Sequence, residues 1–163
     1  MSALNPTDHA DSLGASLRRP YRLLQERVYA ELAASGFPEI RPAHSAVFRH
    51  ILPEGSRLTV LAEQAGMTKQ SMAYLVEHLV EHGHVTIGPD PDDGRARRVR
   101  LTSRGERFVQ AALSASQRVE ELLSAELGAK AMRELRRILG DMETVLMTPE
   151  NHASQSPEKG PSV

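Results

Sequence analysis

Cysteine and tryptophan are both missing from this 163-residue chain, and aromatic residues make up only 4% of it. Without cysteine there is no disulfide framework, no thiolate metal site and no thiol redox switch. No apolar run approaches the roughly 18 residues of a membrane span. The opening MSALNPTDHADS lacks the basic start and apolar centre of a signal peptide. The default expectation is therefore a cytoplasmic protein with no membrane partner. Net charge is scarce too, because 20 Lys+Arg against 21 Asp+Glu leave −1. A nucleophile elbow and a phosphate-binding glycine loop are also lacking, and no carboxylates pair in an evident cleft. These absences point away from an enzyme and away from a cofactor.

What remains is ordinary globular composition, 40% apolar and 25% charged, in a chain long enough for one core. Residues 1–11 carry no apolar period and read as a flexible N-terminus. The tail at 148–163, TPENHASQSPEKGPSV, is proline-rich with almost nothing apolar and reads as disordered. Between them the pattern is mostly helical. Leu17, Leu24, Val28 and Leu32 recur at helical spacing. Pro20 predicts a helix start at that residue, with Leu13–Leu17 as a separate turn, and Gly36 ends the helix. A second helix opens at RPAH and turns Val47, Phe48 and Ile51 inward, before Pro53 and Gly55 stop it.

A short helix and a longer one follow. Thr59 predicts the cap of one that ends at Gly66, and Thr68 the cap of one that ends at Gly83. So short a turn between them makes a helix-turn-helix. Met72, Leu75, Val76 and Leu79 share the buried side of the second helix. Thr68, Lys69, Gln70, Ser71 and Tyr74 form its exposed N-terminal end, hydrogen-bonding groups suited to base edges or phosphates. Then HVTI and RRVRL alternate as strands around GPDPDDGRA, with Val85, Ile87, Val99 and Leu101 facing the core. From Gly94 to Arg107 six arginines (95, 97, 98, 100, 104 and 107) face one acid, Glu106. A neutral chain that is basic in one place suits a polyanion bound in that place. Ser103 and Glu106 predict a capping box for a long helix to about Glu126. In the last helix Met132, Leu135, Leu139, Met142 and Leu146 are spaced 3, 4, 3, 4, the seam of helix-on-helix packing.

The fold class that follows is mainly α with a small antiparallel β-wing: a winged helix-turn-helix with N- and C-terminal dimerisation helices. LTVLAEQAGMTKQSMAYLVEHLVEHGHV followed by DPDDGRARRVRLTSRG resembles the MarR family of transcriptional regulators over residues 13–147. The wing motif is carried by Asp93, Arg95, Val99, Leu101, Thr102 and Gly105. The resemblance implies that Thr68, Lys69, Gln70, Ser71 and Tyr74 read the major groove of double-stranded DNA while Arg95 enters the minor groove. It also implies that Asp93 braces the wing and that Arg97 and Arg98 meet phosphates. Arg100 and Arg104 read equally well as structural. The implied protein is a homodimer, more often repressor than activator, on a pseudo-palindromic operator. Residues 12–40 and 103–147 form its helical dimerisation region, and 41–102 its DNA-binding lobe. A small aromatic or phenolic effector is implied in the cleft between them, near Tyr29, His44 and Phe48. Two alternatives stay open: a winged helix used for protein contact, and a zinc-responsive regulator using His78 and His82, whose i, i+4 spacing suits zinc although no carboxylate is placed to complete a site.

Overall fold

The computed structural model describes residues 12–148. The flexible N-terminus expected at 1–11 lies outside them, as does the tail expected over 148–163 apart from Thr148. Residues up to Val119 and residues from Glu120 onward form two compact units.

In the first unit, helix α1 spans Leu13–Ala34 without interruption. The sequence reading, which began the helix at Pro20 and set Leu13–Leu17 apart, is corrected here. Ser12 starts the helix: its Oγ accepts from the Ala15 N–H at 3.2 Å. Pro20 leaves the Ser16 carbonyl without its helical donor. Both residues are exposed, so water can satisfy that carbonyl. Val28 and Leu32 are buried, while Leu17 and Leu24 stay 39% and 38% exposed.

A single 3-10 turn, Pro42–His44, leads into α2, Ser45–His50. A two-residue strand, β1 at Ser56–Arg57, comes next and was not foreseen, because two residues carry no alternation to read. It also corrects the start of the next helix. Pairing of Arg57 with Arg98 keeps the chain extended up to Leu58, so α3 spans Leu58–Gln64 with Arg57, not Thr59, in the cap position.

Gly66 makes the turn at φ +63°, a left-handed conformation that side chains with a Cβ resist. Helix α4 then runs Lys69–Glu81, and the Thr68 Oγ1 accepts from the Ser71 N–H at 3.1 Å. Met72, Leu75, Val76 and Leu79 bury the face expected of them, each contributing about 1.5–3 kcal/mol relative to an exposed side chain. Leu61 and Val47 complete this core, both fully buried.

Strands β2, Val85–Asp90, and β3, Asp93–Leu101, pair antiparallel, and the sheet order is β1-β3-β2. The hairpin is longer than expected: most of GPDPDDGRA lies in the ladder and only Pro91 and Asp92 form the tip. Pro89 is tolerated there because β2 is an edge strand, where a missing N–H need not face a partner. Val85 and Val99 are core residues as expected, but Ile87 is 39% exposed, although it pairs with Val99.

Helix α5 spans Ser103–Leu127 and crosses the boundary between the units. Its cap is Thr102, whose Oγ1 accepts from the Gly105 N–H at 3.1 Å, in place of the Ser103–Glu106 box expected. The same hydroxyl donates to the Gly83 carbonyl at 2.6 Å. This contact draws the first turn of α5 against the end of α4, so closely that a Cβ on Gly105 would collide with the His84 carbonyl oxygen.

In the second unit, α6 spans Ala129–Met147. Met132 is buried, whereas Leu135, Ile138, Leu139, Val145 and Leu146 are 41–78% exposed. No described helix is long and apolar enough to cross a membrane.

Candidate nucleic-acid interface

Two elements of the first unit carry the polar and cationic groups singled out by the sequence. One is the N-terminal end of α4. Lys69, Gln70, Ser71 and Tyr74 are all exposed there, Tyr74 by 72% despite its ring. Thr68 is occupied with the helix end: besides accepting from the Ser71 N–H, its hydroxyl donates to Ser71 Oγ at 2.8 Å. Gln70, Ser71 and Tyr74 line an open groove of about 410 Å³ together with Ala43, Met67 and Leu75.

The other element is the wing, where the arginines divide into two groups. Among the described residues the Arg95 and Arg97 guanidiniums have no ion-pair partner. Arg98 is different. Its side chain is 15% exposed, and its Nη2 donates to Asp90 Oδ1 at 3.1 Å and to Asp92 Oδ2 at 3.0 Å. The guanidinium expected to meet phosphate is thus engaged within the wing. Arg104 is likewise structural and donates to Glu39 Oε1 at 2.7 Å.

The brace expected at Asp93 lies mainly at Asp90. The Asp90 side chain is fully buried and accepts from Arg57 Nε at 2.6 Å, from Arg98, and from the Asp92 N–H at 2.9 Å. These bonds, with the Arg57 hydrogen bond foremost, hold its carboxyl down at about 2. Asp93 is the outer part of the clamp. It accepts from the Arg95 N–H at 3.1 Å and lies 3.7 Å from Arg57 Nη2. Arg57 and Asp90 stand 33 residues apart, and a lone arginine on a two-residue strand gives no local sign of that role. Arg57, Thr59, Lys69, Arg95 and Arg97 line a second cleft, of about 380 Å³. This cleft places the wing beside the start of α4.

A buried joint lies behind this surface. His84 is fully buried, and its Nε2 lies 2.7 Å from Glu39 Oε1, the oxygen that also accepts from Arg104. Partial burial opposes ionisation of Glu39, but the Arg104 and His84 hydrogen bonds outweigh it and hold the carboxyl at about 2. Burial pushes the His84 imidazole below its ordinary value, against the pull of Glu39. Phe37, Phe48 and Phe108 surround the ring at 5.9–6.2 Å.

The three residues expected near an effector have separate surroundings. Phe48 packs on Phe108 at 4.4 Å, within that aromatic cluster. Tyr29 is half-buried; burial raises its hydroxyl pKa although Ser45 hydrogen-bonds to it. His44 is buried, and its Nδ1 accepts from the Arg41 N–H at 3.0 Å. Burial, then the neighbouring His78, lowers the His44 pKa to about 4.

His44, His78 and His82 form a column of rings stacked 4.4 and 4.3 Å apart. His82 Nδ1 lies 2.8 Å from the His78 carbonyl oxygen. Face-to-face stacking does not converge the ring nitrogens on one ion. Among the described residues no group of three or more potential ligands is placed to hold a metal. The spacing of His78 and His82 that suggested zinc serves packing in this structure.

Residues 40–96 match the model of the MarR family. No curated protein sequence matches the chain. Solved structures share its fold. The transcriptional repressor CouR bound to a 23-mer DNA duplex is 23% identical, with a TM-score of 0.64 over 87% of this chain and 99% of that one. CouR from Rhodococcus jostii RHA1 bound to p-coumaroyl-CoA is 21% identical, with a TM-score of 0.62 over 82% and 92%. A MarR-family transcriptional regulator from Rhodococcus sp. RHA1 is 21% identical, with a TM-score of 0.63 over 87% and 96%. At these identities the likeness speaks to the fold, and the fold agrees with the matched segment. The chain thus has the winged-helix fold of these structures, and its residues 40–96 match the MarR family.

Proposed function

We propose that the protein is a homodimeric repressor that binds a pseudo-palindromic operator, reading bases with the start of α4 and probing the minor groove with Arg95. The observation that carries this reading is the pairing of two surfaces: an exposed recognition-helix end and a wing whose Arg95 and Arg97 have no internal partner among the described residues. Gln70 can bond adenine at two points, and the Tyr74 ring can pack on a thymine methyl. A narrow A·T-rich minor groove attracts an arginine such as Arg95 through its negative potential.

Residues 12–40 and 103–147 serve dimerisation in this reading, and 41–102 the DNA. Its support is the apolar surface left open on α1 at Leu13, Leu17 and Tyr21, and on α6 at Leu135, Leu139 and Leu146. A second copy of the chain covers these faces. The effector is a small aromatic or phenolic compound that favours a spacing of the two lobes unsuited to the operator. Among the relatives, CouR has been solved with p-coumaroyl-CoA, which carries a phenolic group.

Selection from a random duplex pool tests the reading. It should enrich an inverted repeat whose half-sites lie about one helical turn apart. Enrichment of a single unrepeated site would remove the dimeric operator, and no enrichment would remove the repressor.

A further inference from the structure

Helix α5 is fastened to the lobe that carries α4 in two different ways. The first is a pin. Thr102 Oγ1 donates to the Gly83 carbonyl at 2.6 Å, and the Thr102 N–H donates to the His84 carbonyl at 3.0 Å. Gly105 passes too close to that second carbonyl to carry a Cβ. A pin fixes where a helix begins but leaves its direction free. Phe108 adds packing on Phe37 and Phe48, but apolar contact is non-directional and permits sliding.

The second fastening has a direction. Glu39, between α1 and the 3-10 turn, offers a single oxygen, Oε1, to two donors at 2.7 Å each. One is Arg104 Nη2 on the first turn of α5, and the other is His84 Nε2 just past the end of α4. The Arg104 guanidinium also lies over the Phe37 ring, 5.6 Å from its centroid. The Glu39 side chain is 13% exposed, so little water competes for the shared oxygen. Neither donor can move without stretching a bond to the same atom.

We propose that Glu39 is a positioning residue for operator binding: by clamping Arg104 to His84 it fixes the direction in which α5 leaves the lobe, and so the spacing at which two copies present α4 to DNA. The part about spacing rests on the dimeric-operator reading above. Small angles matter here. The stretch of α5 from Thr102 to Val119 is about 25 Å long, so a swing of about 8° displaces its end by about 3.5 Å, the rise of one base pair.

The test needs no DNA at first. The chain has no cysteine, so Glu77→Cys and Gln117→Cys, at exposed positions of α4 and α5, place two spin labels on the full-length protein. Dilution into unlabelled protein lets pulsed electron paramagnetic resonance read the distance within one chain. With the clamp intact the distribution should be narrow. Glu39→Ala should broaden it, and Glu39→Gln, which keeps an acceptor oxygen, should restore it. Arg104→Ala should broaden it too, and decides the matter where Glu39→Ala does not fold. A group that only stabilises the fold leaves the distances of folded molecules unchanged. A narrow distribution in either folded alanine variant, or a broad one with the clamp intact, would therefore overturn the assignment.

On DNA, a duplex selected from the random pool is compared with one lengthened by a single base pair between its half-sites. The unmutated protein should bind the lengthened duplex about tenfold or more weakly, as for a mismatched base pair. Glu39→Ala and Arg104→Ala should bring the two affinities together. Broadened distances with the preference intact would overturn the link to spacing. Equal binding or no binding by the unmutated protein would count against the dimeric-operator reading, while the distance measurement still decides the clamp.

Discussion

Replacing Glu39 with alanine should cost the fold about 2–3 kcal/mol. The carboxylate accepts two bonds at 2.7 Å, one from Arg104 and one from His84. Each such charge-assisted bond contributes about 1.5–3 kcal/mol at a site removed from water. The two ends are not equal. The Arg104 side chain is 40% exposed, so water replaces its lost acceptor and its share falls to about 0.5–1 kcal/mol. His84 is fully buried, and its N–H would be left without an acceptor, at a further cost of about 1–3 kcal/mol. Among the described residues its Nδ1 already lacks a partner, so the ring cannot recover by flipping. Glu39→Gln should cost less, because the amide oxygen still accepts. The assay is chemical denaturation at fixed protein concentration, with a parallel fall in melting temperature of roughly 5–10 °C. In a double-mutant cycle, Arg104→Ala should lose most of its effect in the Glu39→Ala background. A Glu39→Ala loss below about 0.5 kcal/mol, or full additivity with Arg104→Ala, would refute the joint as described.

Arg95→Ala should weaken operator binding by about 1–3 kcal/mol while circular dichroism and the mass in solution stay unchanged; unaltered affinity would remove the wing contact. Stability should fall in two steps as pH is lowered. His44 is held neutral down to about 4, so below its ordinary 6.5 the unfolded chain takes the proton first and up to about 3 kcal/mol is lost by pH 4. His84 acts in the same direction. The depressed Glu39 and Asp90 carboxyls add a further loss between about pH 4 and 2; a urea midpoint flat from pH 7 to 4 would contradict the histidine step. Leu139→Asp on α6 should shift the protein toward monomer in sedimentation, and an unchanged dimer would place the interface elsewhere.

The helix-turn-helix was legible because its signals are local. Thr68 and Gly66 mark a cap and a turn, and Met72, Leu75, Val76 and Leu79 repeat at the helical period. The wing was legible by alternation and by its charge. Pro20 misled because proline was read as a helix start, while Ser12, eight residues earlier, supplied a cap strong enough to begin α1 before it. The brace escaped for a different reason. Asp90, Asp92 and Asp93 look alike in sequence, and only the fold, by bringing Arg57 across from β1, decides which one is buried. The joint at Glu39, His84 and Arg104 spans 65 residues, and no spacing rule reaches so far. Lys69 shows the limit of a helical wheel: it places a side chain around one helix but not against the neighbouring wing.

Fluorescence anisotropy on the selected duplex and its scrambled form, from 50 to 200 mM salt, reaches the central claim most directly. Sequence-specific regulation predicts affinity for the selected duplex about a thousandfold or more above the scrambled one, with both falling steeply as salt rises. Equal affinity for the two duplexes, or binding indifferent to salt, would contradict it.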